Sequence, residues 1–222
     1  MTNIAKRNLL IVFAKPPIAG LAKTRLIPAL GKQGAADFQT KLLEHTLEKF
    51  SHHTDWKTQL WLSSELQTVY RHKLKMQYDV SFFSQQGENL GEKMHHALAY
   101  SLSNFDKVSL IGTDCPALNS RLIGKTFAML DQVDLVLTPA EDGGYVQIAA
   151  KKIDFEVFRN VKWGGVKVMQ QTRENLEKTR LSMALTETLW DVDLPEDLER
   201  LQRESYALAR DLPPVDRLDS QP

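Results

Sequence analysis

The segment that decides the fold is "NLLIVFAKPPIAGLAKTRL", residues 8–26. Its opening apolar run, rich in β-forming side chains, predicts a strand buried on both faces. Lys15, Lys23 and Arg25 follow in the next loop. In open α/β sheets ligands bind at the carboxyl ends of the strands, so three cations crowded there predict a bound anion. A solvated surface loop is the alternative, although Gly20 and the paired prolines favour a shaped loop.

A phosphate-binding P-loop does not explain this segment. That motif needs a glycine, four residues, a second glycine, a lysine and then serine or threonine. Alignment on Lys23 and Thr24 places Pro17 and Ala22 at the two glycine positions. Proline has no N–H and alanine resists positive φ angles, so the motif fails at both positions.

The rest of the chain alternates short apolar runs with helical patterns. Strands are predicted in "KTQLWLS", "DVSFFS", "KVSLIGTD" and "DLVLTPA", with helices between them. After residue 140 the pattern is less regular: "YVQIAA" and "LSMALTETLW" predict strands and "PEDLERLQRES" a final helix. The alternation predicts a mostly parallel, Rossmann-like α/β sheet flanked by helices. We expect a single domain over residues 1–207, a β-element in its second half that covers a site, and a loose proline-rich tail at 208–222.

Composition limits the classes of function. The 222 residues contain 28 Lys and Arg against 28 Asp and Glu, a net charge of zero that argues against binding to nucleic acid. No apolar run approaches the ~18 residues of a membrane span. The single cysteine, Cys115, cannot form an intrachain disulfide, which fits a cytoplasmic protein. Composition does not indicate the oligomeric state.

Carboxylates follow two of the predicted strands. Asp114 ends "KVSLIGTD", and Asp191 and Asp193 lie in "WDVDLPEDL" before the last helix. Carboxylates at the same edge as the basic loop are suitable ligands for Mg²⁺, which prefers oxygen donors and bridges to phosphate. The alternative is that Asp114 and Asp193 only cap a turn and a helix, and the sequence leaves both interpretations open.

Five segments together carry a family resemblance: "FAKPPIAGLAKTRL", "QQGENLGEKM", "GTDCPAL", "TPAEDGGYVQIA" and "DVDLPEDL". In this order they resemble a bacterial family of small transferases with the GT-A, or nucleotide-diphospho-sugar transferase, fold. The family is similar to phospholactate guanylyltransferase and, more distantly, to molybdenum-cofactor guanylyltransferase. The resemblance extends from residue 10 to about residue 201, nearly the whole chain.

The resemblance implies roles for individual residues. Lys15, Lys23 and Arg25 would be catalytic and contact the phosphates, and Asp114 and Asp193 would hold Mg²⁺ or Mn²⁺, with Asp191 the weaker candidate. The nucleotide would contact Ala14, Gly20, Thr24, Gln86, Gly87, Asn89 and Gly91. The acceptor would contact Glu141, Asp142, Gly143, Gly144 and Tyr145.

Two of these assignments have alternatives in the sequence. The amides of Gln86 and Asn89 can pair with a base edge; the alternative is that the neighbouring glycines only mark the start of a helix. The "EDGGY" segment has the composition of a hairpin turn as well as that of an acceptor site.

The sequence and the resemblance together support three hypotheses about the function. The first is metal-dependent nucleotidyl transfer from a nucleoside triphosphate to a small phosphorylated or carboxylated acceptor. The second is glycosyl transfer from a nucleotide-diphospho-sugar, with Glu141 or Asp142 as the base. The third is a nucleotide-binding module without catalysis. The expected partners are a nucleotide and a small-molecule acceptor.

Overall fold

The structure is a computed structural model that describes residues 7–204, 206–210 and 212. It contains a seven-stranded sheet in the order β3-β2-β1-β4-β6-β5-β7. The strands are β1 (Asn8–Ala14), β2 (Lys57–Leu62), β3 (Val80–Ser84), β4 (Lys107–Ile111), β5 (Leu135–Pro139), β6 (Tyr145–Ala150) and β7 (Met183–Leu185). Only β6 runs antiparallel to its neighbours, β4 and β5. The predicted mostly parallel sheet is confirmed.

Helices cover both faces of the sheet. They are α1 (Ile27–Phe50), α2 (Thr68–Gln77), α3 (Leu90–Leu102), α4 (Ser120–Met129), α5 (Val168–Leu176) and α6 (Pro195–Arg203). Short 3₁₀ turns occur at Thr24–Leu26, Phe155–Phe158 and Ala207–Ala209. The range of α1 contains two helical segments joined at Gly31, whose φ of 69° and ψ of 170° are not helical, and Pro28 suits the first turn of the shorter segment.

The first strand is the centre of the core. Leu10 and Val12 pack on one face with α1, α2 and α4, while Leu9 and Ile11 pack on the other face with α3. All four side chains are fully buried, as the continuous apolar run predicted. Because β1 lies between β2 and β4, the sheet order reverses beside it, and in such sheets the crevice at the carboxyl ends at that point is where ligands bind.

The second half of the chain differs from its prediction. Strand β6 was expected in an element that covers the site, but it is inserted into the main sheet, where Ile148 pairs with Leu110 of β4 and Leu137 of β5. Its last four residues are buried, which a covering element would not allow. The predicted strand "LSMALTETLW" is reduced to β7 and an isolated bridge between Ala140 and Leu189.

The end of the domain packs next to Leu26, which immediately precedes helix α1. Leu208 and Ala209, the first residues of the predicted tail, are buried in a cluster with Leu26 and Trp190. Apart from residues 208–210 and 212, the predicted tail lies outside the described residues. No helix among the residues described has the length and apolar character that crossing a membrane requires.

Candidate functional site

A cleft of about 690 Å³ lies at the carboxyl ends of the parallel strands. This volume falls within the range of small-molecule sites, about 300–1,000 Å³. Ala14 and Lys15 line the cleft at the end of β1, Gln85 lines it after β3, and Asp114 lines it after β4. Distant segments of the chain therefore converge on one edge of the sheet.

The basic loop is joined to the strand β4 carboxylate by a buried lysine. Lys23 adopts a left-handed backbone conformation with φ of 46°, and its Nζ lies 2.8 Å from Asp114 Oδ1. The same Nζ donates to the Val192 carbonyl at 2.6 Å, and the Val192 N–H donates to the Asp114 carbonyl at 2.8 Å. The Lys23 side chain is only 5% exposed, against 43% for Asp114. Three segments are thus held together around one ammonium group.

A second ion pair joins the same segments closer to solvent. Arg25 Nη1 donates to Asp193 Oδ2, and the two side chains are 57% and 40% exposed. Asp193 does not cap α6, because Asp197 Oδ2 accepts the N–H groups of Asp193 and Leu194 instead. We call Lys23, Arg25, Asp114 and Asp193 the charged edge.

Asp191 also lines the cleft and adds to its negative charge. Burial, together with the neighbouring carboxylates of Asp142 and Asp114, raises the pKa of Asp191 to about 6. Within the part of the chain that the structure describes, no three His, Cys, Asp or Glu side chains are grouped closely enough to hold a metal ion by themselves. Two carboxylates are nevertheless enough for Mg²⁺ when substrate phosphates supply further ligands.

Two lysines of the cleft differ from Lys23. Lys15 and Lys93 both line the cleft, and neither forms an ion pair with any described residue. Lys93 was missed by the sequence analysis, although it lies within the "QQGENLGEKM" segment that the resemblance singled out. Its position on α3, one turn after Asn89, brings it to the cleft.

The structure assigns the predicted base-reading amides differently. Gln86 does not line the cleft, whereas its neighbour Gln85 does, with Nε2 donating to the Trp61 carbonyl at 3.0 Å. Asn89 lines the cleft, but its side chain caps α3: Oδ1 accepts the Glu92 N–H and Nδ2 donates to Glu92 Oε1. The Asn89 amide is therefore engaged within the protein, and Gln85 replaces Gln86 at the cleft.

The glycines predicted to contact the nucleotide have packing roles. A Cβ at Gly87, where φ is 133°, would lie 2.7 Å from Glu92 Cβ, and one at Gly91 would lie 2.7 Å from Trp163 Cζ2. These two glycines let the loop and the indole ring approach α3, as the helix-start alternative suggested. Gly20, with φ of 81°, shapes the basic loop without lining the cleft, whereas Thr24 does line it.

The predicted acceptor segment is the turn between β5 and β6. Glu141 receives two hydrogen bonds from Arg200 of α6, at 2.7 and 3.3 Å, which lower the pKa of its carboxyl. Asp142 accepts the Gly144 N–H at 2.8 Å within the turn. Neither acid lines the cleft, and neither do Gly143 and Gly144.

Tyr145 is the member of that segment that reaches the cleft. Its ring packs edge-on against Trp163 at 6.4 Å, and its hydroxyl is buried, so it contributes surface and not an exposed hydroxyl. Other residues that the sequence analysis did not select also line the cleft: Phe13, Gln39, Ser63, Glu88, Leu90, Met94, Thr113 and Gln147.

Solved structures share this fold. A "putative nucleotide-diphospho-sugar transferase" from Desulfovibrio desulfuricans G20 is 28% identical, with a TM-score of 0.80 over 95% of this chain and 93% of the other. The 4-diphosphocytidyl-2C-methyl-D-erythritol synthase of Anaerococcus prevotii DSM 20548 is 14% identical, with a TM-score of 0.63 over 90% and 96%. CMP:2-keto-3-deoxy-manno-octonic acid synthetase, solved with CTP, is 10% identical, with a TM-score of 0.56 over 90% and 98%. The nucleotide-diphospho-sugar transferase fold predicted from the resemblance is confirmed.

A comparison with protein-family models gives the family itself. A search of the curated proteins found no match. The model of the family described as "Uncharacterized protein conserved in bacteria (DUF2064)" matches residues 46–165, which include β2 to β6 and the Asp114 segment. This match covers more than half of the chain, and the protein is therefore a member of the DUF2064 family with the fold of the nucleotide-diphospho-sugar transferases.

Proposed function

We propose that this protein is a metal-dependent nucleotidyltransferase that moves a nucleotidyl group from a nucleoside triphosphate to a small phosphorylated or carboxylated acceptor. The observation that carries the proposal is the charged edge, where two cations and two carboxylates from three segments meet at the carboxyl ends of parallel strands. The likeness to nucleotidyl and sugar transferases supports the broader class, a nucleotide-dependent transferase.

The distribution of charge supports a polyphosphate ligand. Among the residues that the structure describes, four cations line the cleft: Lys15, Lys23, Arg25 and Lys93. Lys23 and Arg25 pair with carboxylates, whereas Lys15 and Lys93 form no ion pair with any residue that the structure describes. A magnesium–nucleotide complex offers both signs of charge at once, with a cation for the carboxylates and phosphates for the lysines and arginine.

The residues at the charged edge fit a divalent metal. The side chains of Asp114 and Asp193 are 43% and 40% exposed, and Mg²⁺ is commonly held by one or two carboxylates together with substrate phosphates. When bound there, Mg²⁺ or Mn²⁺ would neutralise charge that develops on the transferred phosphate. Lys15, Lys23 and Arg25 would then bind the departing pyrophosphate.

The proposed reaction needs little proton transfer from the protein. An acceptor phosphate or carboxylate oxygen attacks the α-phosphorus, the bond from that phosphorus to the bridging oxygen breaks, and pyrophosphate leaves with the electron pair. Such acceptors are anionic at neutral pH and need no general base. No histidine is among the described residues that line the cleft, and burial raises the pKa of Cys115 to about 12, which makes its thiol a poor nucleophile.

Glycosyl transfer is the alternative, favoured by the description of the Desulfovibrio relative. An acceptor hydroxyl would then need a base, and the two acids predicted for that role are not among the residues that line the cleft, although the Asp142 carboxylate lies near Asp191. Arg200 also lowers the pKa of Glu141, which weakens it as a base. The position of these acids supports nucleotidyl transfer over glycosyl transfer.

Ligand-induced stabilisation followed by product analysis tests the proposal. Each of the four nucleoside triphosphates is compared with matched nucleotide-diphospho-sugars, with Mg²⁺ and with EDTA. At about 100 times the dissociation constant a ligand stabilises by about 2.7 kcal/mol, or about 5–10 °C in melting temperature for a protein of this size. We expect one triphosphate to give this shift only with Mg²⁺.

Incubation of that triphosphate with a panel of phosphorylated and carboxylated acceptors should then release pyrophosphate, detected by mass spectrometry. Stabilisation by nucleotide-sugars alone, with release of a nucleoside diphosphate, would establish glycosyl transfer instead.

A further inference from the structure

Gln39 of α1 occupies an unusual position for a buried polar residue. Its side chain is 3% exposed and lies where the basic loop, helix α1 and the Asp114 loop meet. Its Nε2 donates to the Lys15 carbonyl and to Thr113 Oγ1, each at 3.3 Å. Both amide protons are therefore used between the loop after β1 and the loop after β4.

The hydrogen bonds continue from Gln39 to the carboxylate. Thr113, which is 5% exposed, accepts from Gln39 and donates through Oγ1 to Asp114 Oδ1 at 3.1 Å. Lys23 Nζ contacts the same Oδ1 at 2.8 Å. With two donors on Oδ1, the carboxylate is held in one orientation, and no described residue forms a hydrogen bond or ion pair with Oδ2.

We propose that Gln39 and Thr113 form a positioning relay that orients Asp114 so that Oδ2 faces the cleft as a ligand for a divalent cation. The proposal rests on the proposed function, since it concerns the metal of that site. Residues that hydrogen-bond to metal-binding carboxylates fix their orientation, and their loss commonly weakens metal affinity by about 10–100-fold. Gln39 touches neither metal nor nucleotide in this proposal.

The relay also explains why a glutamine is used. A glutamate at this position would have no N–H groups for the Lys15 carbonyl or for Thr113, and it would add a negative charge close to Asp114. A hydrophobic residue of equal length, such as methionine, would fill the space and leave the Lys15 carbonyl and the Thr113 hydroxyl without their donor.

The test measures Mn²⁺ binding directly, by electron paramagnetic resonance and calorimetry, in the presence of the stabilising nucleotide. We expect Gln39→Met and Thr113→Val to raise the Mn²⁺ dissociation constant about 10–100-fold, and Thr113→Ser, which keeps the hydroxyl, to stay within about threefold of wild type. Because the relay acts as one unit, the double variant should bind no more weakly than the weaker single variant.

Matched controls separate positioning from general loss of a buried polar group. Thr46→Val removes a buried hydroxyl that donates only to the Leu42 carbonyl of the same helix. Gln59→Met removes an amide that accepts from Trp61 Nε1, and Gln59 lines a separate groove. Both controls should bind Mn²⁺ as wild type does.

Hydrogen exchange without metal or nucleotide gives a second measurement. Amides in residues 15–23 and 113–115 should exchange faster in Gln39→Met, while those of β2 and β3 stay unchanged. If Gln39→Met folds poorly, Thr113→Val still tests the hydrogen bond between Gln39 and Thr113, because it removes the other partner.

Two outcomes would overturn the proposal in different ways. If Asp114→Asn abolishes Mn²⁺ binding and both relay variants bind Mn²⁺ like wild type, the relay is wrong and the metal site stands. If wild type itself binds no Mn²⁺ with any nucleotide, the metal of the proposed function is wrong and the relay proposal is rejected with it.

Discussion

The charged edge and the β5–β6 turn were both predicted to contact ligands, and the structure places them differently relative to the cleft. At the charged edge, Lys23 and Arg25 pair with acids 91 and 168 positions away, and all four side chains line the cleft. In the turn, Glu141 pairs with Arg200 of α6, and Gly143 lies against the backbone of Val166.

The difference shows what kind of motif indicates a ligand. Charges from distant segments that end at the same edge of a parallel sheet are brought together by the fold itself. Acids and glycines within one turn can be explained by the turn's own hydrogen bonds, and here the Asp142 carboxylate and the Gly143 N–H both serve the turn. The predictions below test whether these two regions are as different in function as they are in structure.

The largest effect is expected at the charged edge. Asp114→Asn and Asp193→Asn each keep the side-chain size but remove the charge that would hold the metal. Turnover should fall by about 10²-fold or more, while both variants remain folded because the amide oxygen still accepts a hydrogen bond from Lys23 or Arg25. Asp37→Asn, an exposed acid on α1, is the matched control. Wild-type turnover in both cleft variants would contradict the hypothesis that Asp114 and Asp193 hold a metal ion.

The next effect concerns stability in the turn. Gly143 has φ of 89°, and a Cβ there would lie 2.1 Å from the Val166 carbonyl oxygen. Gly143→Ala should destabilise the fold by about 3 kcal/mol and lower the melting temperature by about 6–12 °C. Gly164→Ala is the control, because φ is 78° there and no atom lies within 4 Å of the added Cβ.

For Gly164→Ala only the backbone strain remains, about 1 kcal/mol. Equal melting temperatures for the two variants would show that the backbone at Val166 shifts at little energetic cost to make room for the added Cβ. A full loss of activity in folded Gly143→Ala would indicate that the turn takes part in the reaction after all.

The smallest effect concerns Glu141. Its pair with Arg200 is largely exposed, so Glu141→Gln should cost about 0.5–1 kcal/mol at pH 7 and change turnover less than twofold. Arg200 lowers the pKa of Glu141, so the stabilisation is present above the ordinary pKa of 4.5 and is lost as the pH falls through the lower pKa of the folded state.

Urea denaturation at pH 7 and pH 4 measures this difference. The gap between wild type and Glu141→Gln should narrow at the lower pH. A loss of turnover by orders of magnitude in this variant would instead support the glycosyl-transfer alternative, in which Glu141 serves as the base.

Much of the fold could be predicted because the local sequence patterns agree with the strands and helices of the structure. The run at β1 matched its strand, and the alternation of strands and helices gave the parallel sheet. The antiparallel insertion of β6 was not predictable, since its apolar residues suit either a sheet centre or a covering element. Its partners Leu110 and Leu137 become known only with the strand order.

The candidate site was predictable to a similar extent. Charge type and position after strands selected Lys15, Lys23, Arg25, Asp114 and Asp193, all of which line the cleft. Gln85 was missed in favour of Gln86 because adjacent residues after a strand face opposite directions and the sequence does not say which side is the cleft. Lys93 was missed because a lysine on an amphipathic helix is usually solvated.

The sequence by itself determined the buried first strand, the alternating βα pattern and the placement of opposite charges after strand ends, because these depend on neighbours within a few positions. Only the tertiary structure decided which charges pair, which glycines serve packing and which amide joins the two loops. Lys23 reaches the Val192 carbonyl across 169 positions of sequence, and the hydrogen bonds of Gln39 span 24 and 74 positions. Such contacts depend on the order of strands in the sheet, which local propensities do not encode.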